Sequence, residues 1–361
     1  MSDPIPSAAP RERLGRYEVL GKIADGGMAV VYVARRDDGA IVALKRIRED
    51  FARNRDFLTM LRDEAKIVSY LHHPNIVRYD ELGGEEGQAY LAMELLYGQS
   101  LWSVWEACRA RGVRLRYDMI AWIGARVADG LHYAHELVDD RGAPLDIVHR
   151  DVNATNVFLT YDGEVKIIDF GLAKAANRAF RTAAGIIKGK VAYMSPEQAV
   201  GAAVDRRTDV FALGTTLWEL ACDRRLFKSE DDVGTLERVH EARVGDPTLF
   251  VDGFPPALWD ILRRALARNK EDRYRTAGDM ARALDAFAGP AMNAAQVAQV
   301  TQELFAEDRA RQLAWIADVS APGGKRASEP LKSRSTFWTG RDAPPSAANA
   351  RPPPLLAQGA R

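Results

Sequence analysis

The spacing of apolar residues changes once along this chain, close to Gly98. Before that point the apolar runs are short and rich in β-branched residues, as at 30–33 and 41–44, which is typical of strands. After it the apolar residues follow helical spacing, most clearly over 115–137 and 209–222. We therefore predict an α+β fold, in which a mostly β lobe precedes a mostly α lobe and a ligand cleft lies between them.

The 361 residues allow one large domain or two modest ones. We predict these segments: a flexible lead over 1–13, a strand-rich lobe over 14–93, a hinge over 94–98, a helical lobe over 99–288, a helical extension over 289–320, and a disordered tail rich in basic residues, Pro, Ser and Ala over 321–361. Within the first lobe, 55–71 has helical periodicity. In the extension, 294–319 has the pattern of one amphipathic helix that either packs on the helical lobe or meets a partner.

The charge balance excludes several classes of protein. Fifty basic residues face fifty acidic ones, so no net charge draws the chain to nucleic acid or an anionic membrane. The longest apolar stretch, at 210–222, is far shorter than the ~20 residues that span a bilayer. No secretory signal is visible, and Cys108 and Cys222 lie in apolar helical stretches typical of reduced core thiols. We expect a cytoplasmic protein that does not bind nucleic acid.

A glycine-containing turn between two predicted strands is the first candidate for ligand binding. Glycines let the backbone N–H groups of such a turn approach phosphates closely. By itself the pattern also fits an ordinary hairpin. The residues that would cover the phosphates are Ile23, Ala24, Asp25, Gly26, Gly27, Met28 and Ala29.

A lysine ends the apolar strand that follows this turn. Lys45 closes the run 42–45 and would place its ammonium on the α- and β-phosphates of a nucleotide. Alternatively, it is a solubilising lysine on an edge strand. Glu64, on the predicted helix that follows, would pair with Lys45 and orient it.

The segment 149–156, His-Arg-Asp-Val-Asn-Ala-Thr-Asn, has the strongest chemical signature, and we call it the catalytic loop. Asp151 would accept or orient the proton of an attacking hydroxyl. Asn156 would supply an amide oxygen to Mg²⁺. A predicted hairpin over 157–168 returns Asp169-Phe170-Gly171 beside the loop, and the Asp169 carboxylate suits Mg²⁺. Chance occurrence of both motifs around one hairpin is a poor alternative.

Together these residues resemble the eukaryotic-like protein kinases, as found in bacterial serine/threonine kinases. The resemblance covers about residues 17–288. It implies the bilobal protein kinase fold, with ATP and Mg²⁺ as cofactors and proteins as substrates. It implies transfer of the ATP γ-phosphoryl group to serine or threonine hydroxyls.

The resemblance also implies roles for residues outside these motifs. Met93 corresponds to the gatekeeper, and Glu94 and Leu96 to hinge residues whose backbone binds adenine. Val31, Ala43 and Phe158 would surround the adenine. Glu197 of the Ser195-Pro196-Glu197 motif would pair with Arg273. Asp209 and Gly214 would lie on the helix that anchors the catalytic loop.

The sequence departs from the family pattern in three places. Ala24 and Ala29 replace two glycines of the turn. Asn153 stands where serine/threonine kinases usually carry a lysine that contacts the γ-phosphate, and Lys190 replaces a usual threonine. One hypothesis is that Lys190 directs its ammonium to Asp151 and the γ-phosphate in place of the missing lysine. The alternative is that Lys190 is solvated and Asn153 lowers the rate.

Regulation is predicted from the segment that follows Gly171. Arg150 precedes Asp151, an arrangement seen in kinases that loop phosphorylation activates. Thr182, flanked by arginines, is the predicted activating autophosphorylation site. Two alternatives stay open: a pseudokinase scaffold with little or no phosphotransfer, and tyrosine or dual specificity. The C-terminal helix or tail is a possible partner-binding element.

Overall fold

The computed structural model describes residues 12–27, 29–53, 70–84, 88–170 and 190–321. These residues divide into two compact units. Within the described residues, the first unit takes 12–53, 78–97 and 305–321, and the second takes 70–77, 98–170 and 190–304.

Six strands form the sheet of the first unit in the order β1-β2-β3-β4-β6-β5, with every neighbouring pair antiparallel. The elements are β1 Arg13–Leu14, β2 Tyr17–Asp25, β3 Ala29–Arg36, β4 Ile41–Ile47, the short helix α1 Glu49–Ala52, β5 Tyr79–Gly83 and β6 Tyr90–Glu94. Because side chains alternate along a strand, the sheet has two faces. One face packs Tyr17, Val42, Leu44 and Tyr90 into a buried cluster.

The second unit combines a small sheet with helices. The sheet has the order β7-β8-β9, formed by Gly98–Ser100, Val157–Thr160 and Val165–Ile167. The described helices are α2 Leu101–Ala110, α3 Tyr117–His135, α4 Pro196–Ala199, α5 Arg207–Cys222, α6 Asp232–Glu241, α7 Pro256–Ala265, α8 Ala277–Ala288 and α9 Ala294–Leu304; the last helix, α10 Ala306–Ser320, belongs to the first unit. Three 3₁₀ turns cover Lys190–Tyr193, Pro247–Leu249 and Lys270–Asp272.

Helix α5 is the core of the second unit, because every residue from Thr208 to Cys222 is buried. Gly124 of α3 permits close packing beside it: a Cβ at that position would lie 2.6 Å from Cδ1 of Leu217 and 3.2 Å from Cδ1 of Leu284. The strand-rich part before Gly98 and the helical part after it confirm the predicted fold class.

Two predicted boundaries are wrong. The predicted flexible lead covers 1–13, but Arg13 lies in β1 and the Glu12 carbonyl accepts the Val19 N–H at 2.9 Å. The predicted strand-rich lobe includes 70–77, but in the structure these residues belong to the second unit. The reason is that Val77 N–H donates to the Ile167 carbonyl at 2.9 Å, and the side chain of Asn75 donates to Val165 at 2.9 Å.

The predicted single helix over 294–319 is also wrong, because the chain breaks at Phe305, whose φ and ψ are −129° and 32°. Helix α9 is held in the second unit, where Gln302 Nε2 donates to the Tyr161 carbonyl at 2.6 Å and Arg111 donates to Leu304 at 2.7 Å. Helix α10 packs in the first unit, where Arg35 donates to the Ser320 carbonyl at 2.5 Å. Both helices therefore pack on this chain itself.

The predicted helix over 55–71, apart from its last two residues, and the tail beyond Ala321 lie outside the described residues. Cys108 and Cys222 are both buried free thiols, as predicted. Among the described helices, none has both the length and the apolar character needed to cross a bilayer.

Candidate active site

The glycine-containing turn is the connection between β2 and β3. Gly26 N–H donates to the Ala29 carbonyl at 3.0 Å and closes the turn. Arg48 braces it from the end of β4, because its Nε donates to the Gly26 carbonyl at 2.9 Å and its guanidinium also pairs with Asp25. The predicted phosphate-binding turn is therefore a closed hairpin held by an arginine that the sequence analysis did not select.

Residues predicted to surround the nucleotide share one face of the first sheet. The register pairs Ala24 with Val31, Val31 with Lys45, and Ala43 with Met93. Directly paired residues point to the same side of a sheet, and so do residues two apart on one strand. Val31, Ala43 and Met93 are buried. The apolar side chains of Val31, Ala43 and Met93 and the side chain of Lys45 therefore lie on the same face of the sheet.

The predicted hinge begins where β6 ends. Glu94 N–H donates to the Arg78 carbonyl at 2.9 Å, and the Glu94 carboxylate accepts the Arg78 N–H at 2.8 Å. This double contact fixes the backbone at the start of the hinge. Leu96, two residues further on, is buried.

The catalytic loop is anchored in the second unit by the fully buried carboxylate of Asp209 on α5. Its Oδ2 accepts the backbone N–H of His149, and its Oδ1 accepts that of Arg150, each at 2.8 Å. His135 Nε2 lies 2.8 Å from Oδ2. Burial opposes ionisation, but the hydrogen bond to His135 and those from the loop backbone outweigh it, so the pKa of Asp209 is lowered.

Two asparagine amides hold the carboxylate of Asp151. Asn156 Nδ2 donates to Asp151 Oδ2 at 2.9 Å and to the Asp151 carbonyl at 2.8 Å. Asn153 Nδ2 donates to Asp151 Oδ1 at 3.0 Å and to the same carbonyl at 2.9 Å. An amide donates only through nitrogen, so Oδ1 of Asn156 is the atom able to ligate a metal ion. This fits the role predicted for Asn156.

The β8–β9 hairpin returns the chain to the catalytic loop, as predicted. Ile168 N–H donates to the Asn156 carbonyl at 2.9 Å, and the Ile168 carbonyl lies 3.1 Å from His149 Nε2. The Phe170 ring then packs edge-on against the His149 ring, with 4.5 Å between centroids. Asp169 is thus placed beside the loop that carries Asp151 and Asn156.

Backbone strain occurs at both ends of this arrangement. Asp169 has a φ of 62° and Arg150 a φ of 65°. Both lie in the left-handed region that residues other than glycine rarely adopt. Such strain costs on the order of 1–3 kcal/mol and concentrates at functional sites.

Phe158, predicted to lie beneath adenine, is buried in β8 between Ser100 and Lys166 of the neighbouring strands.

A polar cluster beside the 3₁₀ turn Lys190–Tyr193 was missed by the sequence analysis. Tyr193 Oη donates to Oε2 of the buried Glu219 at 2.8 Å, and Arg225 Nε donates to Oε1 at 3.1 Å. The Arg225 guanidinium also lies over the rings of Tyr193 and Trp102, 5.1 and 5.6 Å from their centroids. Burial raises the pKa of Glu219, and Arg225 partly offsets that effect. Motif spacing gave no signal for a contact of this kind.

The predicted pair between Glu197 and Arg273 is present. Two parallel hydrogen bonds of 2.8 Å join the guanidinium to the carboxylate, and Arg273 is almost fully buried over the Phe211 ring. The other N–H groups of Arg273 reach the carbonyls of Ala267, Arg207 and Arg268. Burial opposes ionisation of Glu197, but Arg273 outweighs it and lowers the pKa of Glu197.

Several predicted residues cannot be placed. Glu64, Thr182, Gly171 and Met28 lie outside the described residues, as does the side chain of Lys190. Within each unit other predicted residues lie together. Val31, Ala43, Lys45 and Met93 share a face of the first sheet, and Asp151, Asn156 and Asp169 lie on adjoining segments of the second unit.

Removing the buried arginine is expected to destabilise the second unit strongly. Arg273→Met leaves Glu197 without its cation, which costs about 3–5 kcal/mol of unfolding free energy. Arg263→Met is the matched control, because its pair with Asp260 is exposed, and it should change stability by less than about 1 kcal/mol.

Denaturant titrations of both variants at several pH values test this expectation. Because the folded pKa of Glu197 is lowered, the stabilisation from the pair is present above the usual glutamate pKa and is lost as the pH falls through the folded pKa. The difference in unfolding free energy between Arg273→Met and wild type should therefore become smaller as the pH is lowered. Equal stability of the two variants at neutral pH would contradict the assignment.

Comparison with known proteins agrees with this geometry. The model of the protein kinase domain family matches residues 17–283. Tyrosine-protein kinase MasK of Myxococcus xanthus (strain DK1622) is 40% identical over 277 residues, which cover 76% of this chain and 43% of MasK. Serine/threonine-protein kinase PknA of Mycobacterium tuberculosis (strain ATCC 25618 / H37Rv) is 31% identical over 349 residues, which cover 91% of this chain and 76% of PknA.

A solved structure has the same fold. The crystal structure of the M. tuberculosis PknI kinase domain aligns with a TM-score of 0.58 and 26% identity, covering 78% of this chain and 100% of that one. The aligned residues span less than half the length of MasK. The matched family model begins with β2, continues through β9 and α7, and ends within α8. The chain belongs to the protein kinase domain family.

Proposed function

We propose that this chain is an active protein kinase that transfers the γ-phosphoryl group of Mg-ATP to serine or threonine hydroxyls of protein substrates. The observation that carries the proposal is the carboxylate of Asp151, with an amide donor on each oxygen and a backbone anchored on buried Asp209. A carboxylate held in this way is suited to orient a hydroxyl and receive its proton.

The residues of each unit have distinct tasks in this proposal. Lys45 and the turn at Gly26 bind the phosphates, and the face formed by Val31, Ala43 and Met93 packs against adenine. Oδ1 of Asn156 and the carboxylate of Asp169 would hold Mg²⁺, which neutralises charge on the phosphates when it is bound. Their oxygen donors match the preference of Mg²⁺ for hard ligands.

Two alternatives differ from this proposal in activity or acceptor. A pseudokinase is favoured by Asn153 and the two alanines of the turn, but the sequence retains Lys45, Asp151, Asn156 and Asp169 together. Tyrosine or dual specificity is favoured by the name of the relative MasK, a tyrosine-protein kinase, whereas PknA is named a serine/threonine-protein kinase. One assay separates all three.

Incubating the full chain with Mg²⁺, γ-labelled ATP and a general protein acceptor should yield labelled phosphoserine or phosphothreonine. Asp151→Asn keeps the shape of the side chain but removes the carboxylate, and it should lower the rate by about 100-fold or more. Asp162→Asn, in the turn of the β8–β9 hairpin, is the control. Absence of label in the wild type would favour a pseudokinase, and label on tyrosine alone would overturn the proposed acceptor. Label that persists in Asp151→Asn would overturn the role of Asp151.

Two further proposals concern the segment from Gly171 to Lys190. Autophosphorylation of Thr182 would place a phosphate where Arg150 can bind it, and mass spectrometry of the active protein should find this modification. An unmodified Thr182 in fully active protein would contradict this.

The ammonium of Lys190 is proposed to reach Asp151 and the γ-phosphate. Lys190→Ala should then lower turnover about tenfold or more, and near-normal turnover would remove the proposal.

A further inference from the structure

We propose that Asn153 is a positioning residue, whose side-chain amide sets the orientation of the Asp151 carboxylate for phosphoryl transfer. The proposal rests on the proposed function and deepens it. It gives a role to the residue that departs most from the pattern of serine/threonine kinases, and it needs no contribution from Lys190.

Both ends of the Asn153 amide are in use. Its Nδ2 donates to Oδ1 and to the carbonyl of Asp151, at 3.0 and 2.9 Å. Its Oδ1 accepts the N–H of Thr155 at 2.9 Å and the hydroxyl of Thr155 at 2.5 Å. Asn153 is buried within these contacts, with a relative exposure of 3%. Asn153 is therefore a fixed element of the loop.

The donor end acts on Asp151 together with Asn156. Asn153 binds Oδ1 and Asn156 binds Oδ2, so each carboxylate oxygen receives one amide N–H. Two donors on opposite oxygens remove the freedom of the carboxylate to rotate about its Cβ–Cγ bond. Misplacement of a reacting group by about 1 Å can cost a factor of about 100 in rate, so this restraint is relevant to transfer.

The acceptor end of Asn153 makes contacts that a lysine side chain would not make. An ammonium has three donors and no acceptor, whereas Oδ1 of Asn153 accepts two hydrogen bonds from Thr155. Lysine would leave the Thr155 N–H without this acceptor. The chain thus replaces a cation directed at phosphate with a neutral amide directed at Asp151.

Two substitutions separate the ends of the amide. Asn153→Asp preserves the shape and the acceptor for Thr155 but loses the donor to Asp151. Thr155→Val weakens the acceptor side and leaves the donor in place. If Asn153 only stabilises the loop, turnover should follow thermal stability, and Asn153→Asp should be the more active of the two variants.

Positioning predicts the reverse order. Asn153→Asp should lower kcat by about 10- to 100-fold with KM for ATP within about twofold of wild type, and Thr155→Val should lower kcat less than Asn153→Asp does while its Tm falls. Asp162→Asn, in the turn of the β8–β9 hairpin, is the control expected to keep the wild-type kcat. Asn153→Ala, which lacks both ends but adds no charge, should also lower kcat by at least about tenfold. Wild-type kcat in Asn153→Asp or Asn153→Ala would overturn the proposal.

A spectroscopic readout that needs no turnover accompanies the kinetics. In the full chain labelled with ¹⁵N-asparagine, the side-chain amide signals of Asn153 are those that vanish in Asn153→Asp. They should shift in Asp151→Glu, which moves the acceptor, and stay in place in Asp162→Asn. If the amide signals of Asn153 keep their chemical shifts in Asp151→Glu, the proposal is overturned. A wild type without phosphotransfer whose signals still respond would instead overturn the proposed function and support the contact.

Discussion

The buried carboxylate of Asp209 is the interaction on which the rest of the site depends. It lies on α5, the helix whose side chains are all buried from Thr208 onward, and it accepts backbone N–H groups from two successive residues of the catalytic loop. Burying an anion is costly unless hydrogen bonds compensate for the lost water. Here the loop backbone and His135 provide that compensation, so the stability of the helical unit and the conformation of the loop are coupled.

The same arrangement recurs around α5 with other partners. Glu219 near its end is bound by Tyr193 and Arg225, and Arg273 beside its start is bound by Glu197. In each case a buried charged residue on or against α5 holds Tyr193 or Glu197, and both follow the segment that carries the predicted phosphorylation site Thr182. The helix therefore acts as a rigid support to which separate functional segments are attached by directional, charge-assisted hydrogen bonds.

Sequence patterns predicted the parts of the molecule that local rules govern. Short runs of β-branched residues predicted the strands around Lys45, and the hairpin predicted over 157–168 returns Asp169 to the loop. Long-range packing was beyond those rules: the break at Phe305, the assignment of 70–77 to the second unit, and the cluster at Arg225 depend on partners distant in the sequence. Asn153 departs from the family pattern in the sequence, but its bonds to Asp151 and Thr155 form only in the folded loop.

Turnover of Asp209→Asn, measured beside Asp205→Asn, tests the central claim most directly. An asparagine at 209 presents one N–H₂ group where the carboxylate accepts hydrogen bonds, so one loop N–H loses its acceptor and the loop loses its anchor. Asp205, four residues earlier, makes a more exposed pair with Arg207. We expect kcat to fall by about 100-fold or more in Asp209→Asn and to stay within about threefold of wild type in Asp205→Asn. Equal turnover of the two variants would contradict it.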